Sequence, residues 1–157
     1  SNKKFHSWII FRLGEFYLNY AEAMFRYTGD VEQVLPGDKS PLTAREAVNV
    51  IRQRTGVKMP ELQADDVSDP EVFWKRYKNE RMVELAFEGH RFWDVRRWKE
   101  GELLKEVTFM KITQNNNGTY NYSREKSTRS WDDKMYLFPI PQTELMCNTN
   151  LTQNPGW

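Results

Sequence analysis

Asn79 to Trp98 reads NERMVELAFEGHRFWDVRRW, and the spacing of its charges and rings organises the whole chain. On a wheel at about 100° per residue, extended back through the preceding turns, Phe73, Tyr77, Glu80, Glu84 and Phe87 share one face. Met82, Leu85 and Ala86 lie on other sides, so apolar residues surround the helix and predict a central position for it. Glu80, Arg81, Glu84 and Glu88 cannot all reach water from there. They are expected to form a structural ion-pair network, with Arg91, Arg96 or Arg97 as the partners. Asp69-Pro70 supplies an N-cap and a first-turn proline, which predicts a helix from there to about Glu88. Gly89 interrupts it, and a short helix from His90 to Lys99 follows, ended by Gly101.

Upstream, Phe11, Leu18, Ala21 and Phe25 recur at helical spacing, with Leu13, Phe16, Tyr17, Tyr20 and Met24 widening the stripe and Gly29 as the stop. After the turn-rich Leu35 to Pro41, Thr43 and Glu46 read as a capping box, and Ala44, Ala47, Val48 and Ile51 form a narrow apolar seam ending at Gly56. Two such helices meeting through Ala21, Ala23, Ala44 and Ala47 resemble one tetratricopeptide unit, without an internal repeat. Val57 to Ser68 reads as a loop.

Beyond Gly101 the chain changes character. Val107 to Thr113 and Tyr120 to Ser123 have strand composition, and Asn117-Gly118 between them favours a tight turn, so a β-hairpin is expected. Met135 to Phe138 reads as extended before Pro139 and Pro141, Thr143 to Met146 as at most one helical turn, and Asn148 to Trp157 as polar coil. The expected fold class is mainly α: a tetratricopeptide-like helix pair and a long central helix over residues 8–101, then a small hairpin and an irregular carboxy-terminal tail over 102–157.

Charge and composition narrow the function. Lys and Arg number 23 against 22 Asp and Glu, which leaves no strong positive field for nucleic acid. The stretch His90 to Lys99 interleaves arginines with Trp93 and Trp98, but the preceding glutamates consume most of its charge. Of the 157 residues 22 are aromatic, while the mean hydropathy is −0.80, so rings packed among charges must build the core. No apolar run of about 18 residues exists to cross a membrane as a helix. His6 and His90 are far apart, Cys147 is the single cysteine, Asp132-Asp133 match no calcium loop, and no nucleophile elbow or phosphate loop occurs. No metal, cofactor or catalytic set is expected. Glu84 and Glu88, at i and i+4, approach the roughly 5 Å carboxylate separation of retaining glycosidases. Flanking arginines would hold both ionised, whereas acid catalysis needs one raised pKa.

The same run, Asn79 to Trp98, resembles the signature of the SusD/RagB family of outer-membrane nutrient-binding lipoproteins. Arg12 to Ala23 (RLGEFYLNYAEA), Ala47 to Gly56 (AVNVIRQRTG) and Tyr136 to Trp157 (YLFPIPQTELMCNTNLTQNPGW) resemble the same family in the same order. The resemblance implies a binding protein rather than an enzyme. It implies a cell-surface lipoprotein that captures glycans or related nutrients and works with a TonB-dependent outer-membrane transporter. Family members are several times longer, so residues 1–157 are expected to be a carboxy-terminal part, with the amino-terminal part as a further partner and Ser1-Asn2 as a remnant of expression. The matched motifs resemble scaffold, and no binding residue transfers with them.

From physics alone, a sugar needs an aromatic face for its C–H groups and polar side chains for its hydroxyls. Trp131, in a polar stretch, and Tyr120 and Tyr122, beside Asn115 to Asn117 and Asn121, are the candidate ligand residues. The competing role for Trp131 is to pack the hairpin onto the helices. Three functions remain open: a nutrient-binding module, a helical protein-interaction scaffold, and a glycoside hydrolase.

Overall fold

The computed structural model describes residues 10–37 and 41–157; His6, the expected helical start at residue 8 and the middle of the turn-rich segment lie outside the described residues. The architecture is mainly helical with one antiparallel hairpin, in two compact units, residues 1–90 and 91–157.

In the first unit, α1 (Leu13–Thr28) and α2 (Ala44–Gln53) pack as a pair, followed by α3 (Ala64–Val67) and α4 (Pro70–Glu84). Gly29 ends α1 at φ 71, in the left-handed region, and its N–H returns to the Phe25 carbonyl. The capping box on α2 is complete: Thr43 Oγ1 accepts from Glu46 N at 3.1 Å, and Glu46 Oε2 accepts from Thr43 N at 2.8 Å. Ala21, Ala44 and Ala47 have no exposed surface, so the helices meet through small residues as expected. Ala23 is exposed instead, because two positions from Ala21 is more than half a turn around the helix. The loop expected from Val57 to Ser68 contains the single turn α3, and buried Asn49 anchors it by accepting the Leu62 N–H at 2.9 Å.

Asp69 caps α4 through its side chain, with Pro70 at the first position. One face of α4 is buried through Phe73, Trp74, Tyr77 and Arg81, and Trp74 stacks between Phe25 (5.8 Å) and Tyr77 (5.1 Å). Tyr77 donates its hydroxyl to the Leu18 carbonyl and Glu22 Oε2, both at 2.9 Å. The expectation that apolar contacts surround this helix does not hold within the unit. Met82, Val83 and Ala86 are exposed and only Leu85 is buried beyond the one face, because α1 and α2 cover a single side.

The second unit contains α5 (His90–Arg97, beginning at the boundary), a 3-10 turn at Gly101–Leu104, β1 (Glu106–Gln114), β2 (Tyr120–Thr128), a 3-10 turn at Asp133–Tyr136 and α6 (Gln142–Cys147). The hairpin pairs Glu106 with Thr128 through to Gln114 with Tyr120, longer than its composition predicts. Diagonal ion pairs, Lys111–Glu125 at 2.8 Å and Lys126–Glu106 at 2.7 Å, carry the ladder through polar sequence. Gly118, at φ 81, closes the turn. Met135 to Phe138 is not extended throughout: Asp132 caps the Lys134 N–H and winds Asp133–Tyr136 into the 3-10 turn. The tail is coil, but a bonded one. Gln153 brackets both backbone groups of Ile140, and Trp157 Nε1 donates to the Lys134 and Leu137 carbonyls at 3.0 and 3.2 Å.

Candidate functional site

In the first unit the acidic residues of α4 and the turn after it meet arginines brought from α1 and α2. Arg12, just before α1, places Nη1 2.5 Å from Glu84 Oε1 and Nε 2.7 Å from Glu88 Oε2. Its Nη2 also donates to the Glu84 carbonyl, while Arg54 Nη1 pairs with Glu84 Oε1 and Arg52 Nη1 lies 2.5 Å from Glu80 Oε2. Arg81 is buried and donates to Asn19 Oδ1 at 2.8 Å. Within the first unit the glutamates' partners are Arg12, Arg52 and Arg54, which the sequence did not single out, because the α1–α2 pair packs its own arginines against α4. The predicted helix end moves as well: α4 stops at Glu84, where Arg12 takes a carbonyl that a further turn would use.

Glycine permits this approach. A Cβ at Gly14 would lie 2.6 Å from Arg12 Nη1 and 2.9 Å from Glu84 Oε1. The hydrogen bond from Arg12, opposed by a smaller desolvation effect, holds the Glu88 carboxyl below its ordinary range, and the same bonds raise Arg12. The lowered Glu88 carboxyl is the opposite of what a general acid needs, which is a carboxyl that keeps its proton. His90 approaches Glu15 at 3.7 Å. A small cavity of about 120 Å³ between Leu62 and Asn79 is spanned by the Arg52–Glu80 and Arg76–Asp66 pairs.

In the second unit Arg96 and Arg97 of α5 make contacts with neighbours on the same helix. Arg96 donates to the Phe92 carbonyl and lies 3.6 Å above the Phe92 ring, with Trp131 at 5.4 Å; Arg97 bonds Asp94 at 2.8 Å. Arg91 is half-buried on the same helix.

Trp131 does not form an exposed platform. Its indole fills the space where a Cβ on Gly101 would stand, meets Tyr136 edge-on at 5.0 Å, and buries its Nε1. Tyr120 and Tyr122 are exposed on one face of β2, but the amides near them are occupied within the turn. Asn121 donates to Asn115, Asn115 to Thr119, and Asn117 accepts from Thr119.

The larger cavity lies elsewhere in this unit, an open cleft of about 760 Å³ walled by Lys99, Glu102, Asp133, Lys134, Tyr136, Leu137 and Pro155. Tyr136 is fixed from behind by Trp131 and in front by Lys99, whose Nζ lies 4.3 Å from the ring, and its hydroxyl accepts the Gly101 N–H at 2.9 Å. At the Gly156 end, Lys134 Nζ lies 4.6 Å from the Trp157 ring. Sequence reasoning missed this cleft because its walls come from three separated segments. The available signal was the aromatic pair Tyr136 and Trp157 among lysines and acids. No three His, Cys, Asp or Glu side chains among the described residues converge as metal ligands.

A model of the SusD family matches residues 1–157. Among solved structures, a SusD-like protein from Bacteroides fragilis NCTC 9343 is 40% identical with a TM-score of 0.75, over 96% of this chain and 26% of its own. The protein BT4246 is 32% identical with a TM-score of 0.70, over 95% of this chain and 24% of its own. Its selenomethionine form gives 30% identity and a TM-score of 0.73, over 100% of this chain and 26% of its own. This chain thus spans about a quarter of the length of the solved proteins it matches. No curated protein matches it in sequence.

Proposed function

The chain belongs to the SusD family, and from that premise we propose that residues 1–157 are the carboxy-terminal quarter of a cell-surface nutrient-binding lipoprotein. Its ligand is an oligosaccharide or other nutrient, and its partner is a TonB-dependent outer-membrane transporter. The observation that carries this reading is the match of the family model from one end of the chain to the other, and the clamp of Arg12 on Glu84 and Glu88 supports a scaffold role for the run Asn79 to Trp98.

The apolar surface of the first unit supports the relation to a longer protein. Phe11, Leu13, Phe16 and Val83 are each more than half exposed, and Phe87 is fully exposed on a left-handed backbone at φ 65. A bulky side chain held in that region and turned outward is unusual unless something covers it. The amino-terminal part of a family-length protein is the covering element this reading names.

Calorimetry with a glycan panel on a family-length protein carrying these residues is the test. Binding of at least one glycan, without release of reducing sugar, is expected. Failure to bind any glycan, together with capture of a protein partner through the exposed apolar face, would favour the interaction-scaffold reading. Sugar release abolished by Glu84→Gln would favour the hydrolase.

A further inference from the structure

At the tip of the hairpin, Asn117 is the one asparagine of the chain that a glycine follows. Glycine has no Cβ to shield its backbone nitrogen, and that nitrogen is tethered within reach of the Asn117 side-chain amide, so a succinimide ring can close between them. A Cβ added at Gly118 would meet nothing within 4 Å, and Asn116 to Tyr120 are all exposed, so water reaches both groups.

The fold holds these two groups apart from reaction. The Gly118 N–H closes the turn by donating to the Asn115 carbonyl at 3.0 Å, and the Asn115 N–H donates to the Thr119 carbonyl at 2.8 Å. Neither Asn116 nor Asn117 takes a positive φ, whereas Gly118 stands at φ 81. The tip is therefore a type I turn followed by a left-handed glycine, not the mirror-image turn that an Asn-Gly pair often makes. Thr119 grips the Asn117 side chain twice: its backbone N–H donates to Asn117 Oδ1 at 3.1 Å and its hydroxyl at 2.7 Å. The hydroxyl is itself fixed by Asn115 Nδ2 at 2.9 Å, and Asn115 Oδ1 accepts from Asn121 at 3.1 Å. The nucleophilic nitrogen and the amide under attack are thus both tied down. Every one of these partners lies between residues 115 and 121, so a local opening of the tip releases them at the cost of a few exposed bonds.

We infer that Asn117 is a site of spontaneous covalent modification, losing its side-chain amide to attack by the Gly118 nitrogen at a rate gated by the opening of this turn, with Thr119 as the latch. A base from the solvent takes the Gly118 amide proton, the nitrogen forms a bond to Asn117 Cγ, the Cγ–Nδ2 bond breaks, and ammonia leaves with a proton from water. Water then adds to either carbonyl of the succinimide, giving aspartate or its β-linked isomer. Both products lower the formal net charge of +1 by one. Aspartate keeps an oxygen for Thr119, whereas the β-linked isomer adds a backbone carbon to a turn whose length is set by the pairing of Gln114 with Tyr120.

The test incubates the 157-residue chain and an unrestrained peptide of residues 114–120 in mildly alkaline buffer and follows the gain of one dalton at each asparagine by peptide mass spectrometry. Conversion is expected at Asn117 and not at Asn115, Asn116 or Asn121, about tenfold slower in the folded chain than in the peptide. Thr119→Val should speed it several-fold and speed hydrogen exchange of the Gly118 amide in parallel, since one opening governs both, while Thr119→Ser should keep the parent rate. Gly118→Ala should slow it strongly. A folded chain in which Asn117 stays intact while the peptide converts overturns the site. Conversion as fast as in the peptide, or unchanged in Thr119→Val, overturns the gating, and conversion untouched by Gly118→Ala overturns the succinimide route.

Discussion

Residues 1–90 and residues 91–157 hold their shape by different means. All but one of the buried apolar side chains among the described residues lie in the first unit, where Leu18, Val48, Ile51, Phe73 and Tyr77 are almost wholly enclosed; Val95 is the exception in the second. The first unit surrounds an aromatic and aliphatic core with a lattice of arginines and glutamates. The second relies on edge contacts between rings, cations over rings, and side chains that bond a returning tail. Its hairpin is exposed on both faces except for Val107 and Glu125, which are half-buried. Charged groups inside the first unit should therefore be costly to remove, and single residues on the second unit's hairpin should not.

The largest effect is expected at Glu84, whose side chain is 8% exposed and serves both Arg12 and Arg54. Glu84→Ala should destabilise the chain by about 3 kcal/mol, because guanidinium groups are left without their counter-charge in a partly buried site. Urea denaturation followed by far-ultraviolet circular dichroism measures it. A loss below about 0.5 kcal/mol, the scale of a surface pair, would break the contrast between the units.

Gly101→Ala should cost about 2 kcal/mol, since the new methyl would occupy the position of the Trp131 indole and neither backbone nor ring can yield easily. The loss should appear in near-ultraviolet dichroism and tryptophan emission, and Gly101→Ala/Trp131→Leu should recover part of it. No effect of Gly101→Ala would mean that the ring packing of the second unit is loose.

Glu88 separates the clamp into a buried and an exposed half. Its carboxyl is held low chiefly by the hydrogen bond from Arg12, so its contribution is present above the ordinary value of 4.5 and is lost as the pH falls through the lower folded value. Glu88→Gln should therefore cost less than about 1 kcal/mol at pH 7, because the group is more than a third exposed. The gap between the variant and the parent should close below pH 4.5. A gap that widens with acid would reverse the sign of this assignment. The smallest effect belongs to the hairpin: Ile112→Thr and Tyr122→Ala should each change stability by under about 0.5 kcal/mol, given 59% and 66% exposure. A larger loss would show that the hairpin face is covered in solution.

Residues adjacent in sequence explain what was legible. The capping box at Thr43 and Glu46, the stop at Gly29, the cap and proline at Asp69 and Pro70 and the turn at Asn117-Gly118 each act within a few positions, so reading them needs only local rules. The small-residue seam of α1 and α2 was legible from helical spacing, apart from Ala23. The need for cationic partners around Glu80, Glu84 and Glu88 followed from amphipathic geometry on one helix.

Which arginines supply the charge was decided by tertiary structure. Arg12 lies 72 positions from Glu84, and helical periodicity within one segment contains no information about which distant side chain a carboxylate will meet. The same limit applies to Trp131: its composition suits an exposed platform and a packed ring equally, and the open space above Gly101 determines which it becomes. The cleft lined by Lys99, Asp133, Tyr136 and Pro155 exists only because the tail returns through Gln153 and Trp157. Sequence by itself therefore determined the elements, their caps and the charge that had to be neutralised, because those depend on neighbours along the chain. The partners of the clamp, the packing of Trp131 against Gly101 and the walls of the cleft depend on neighbours in space, and only the folded chain brings those together.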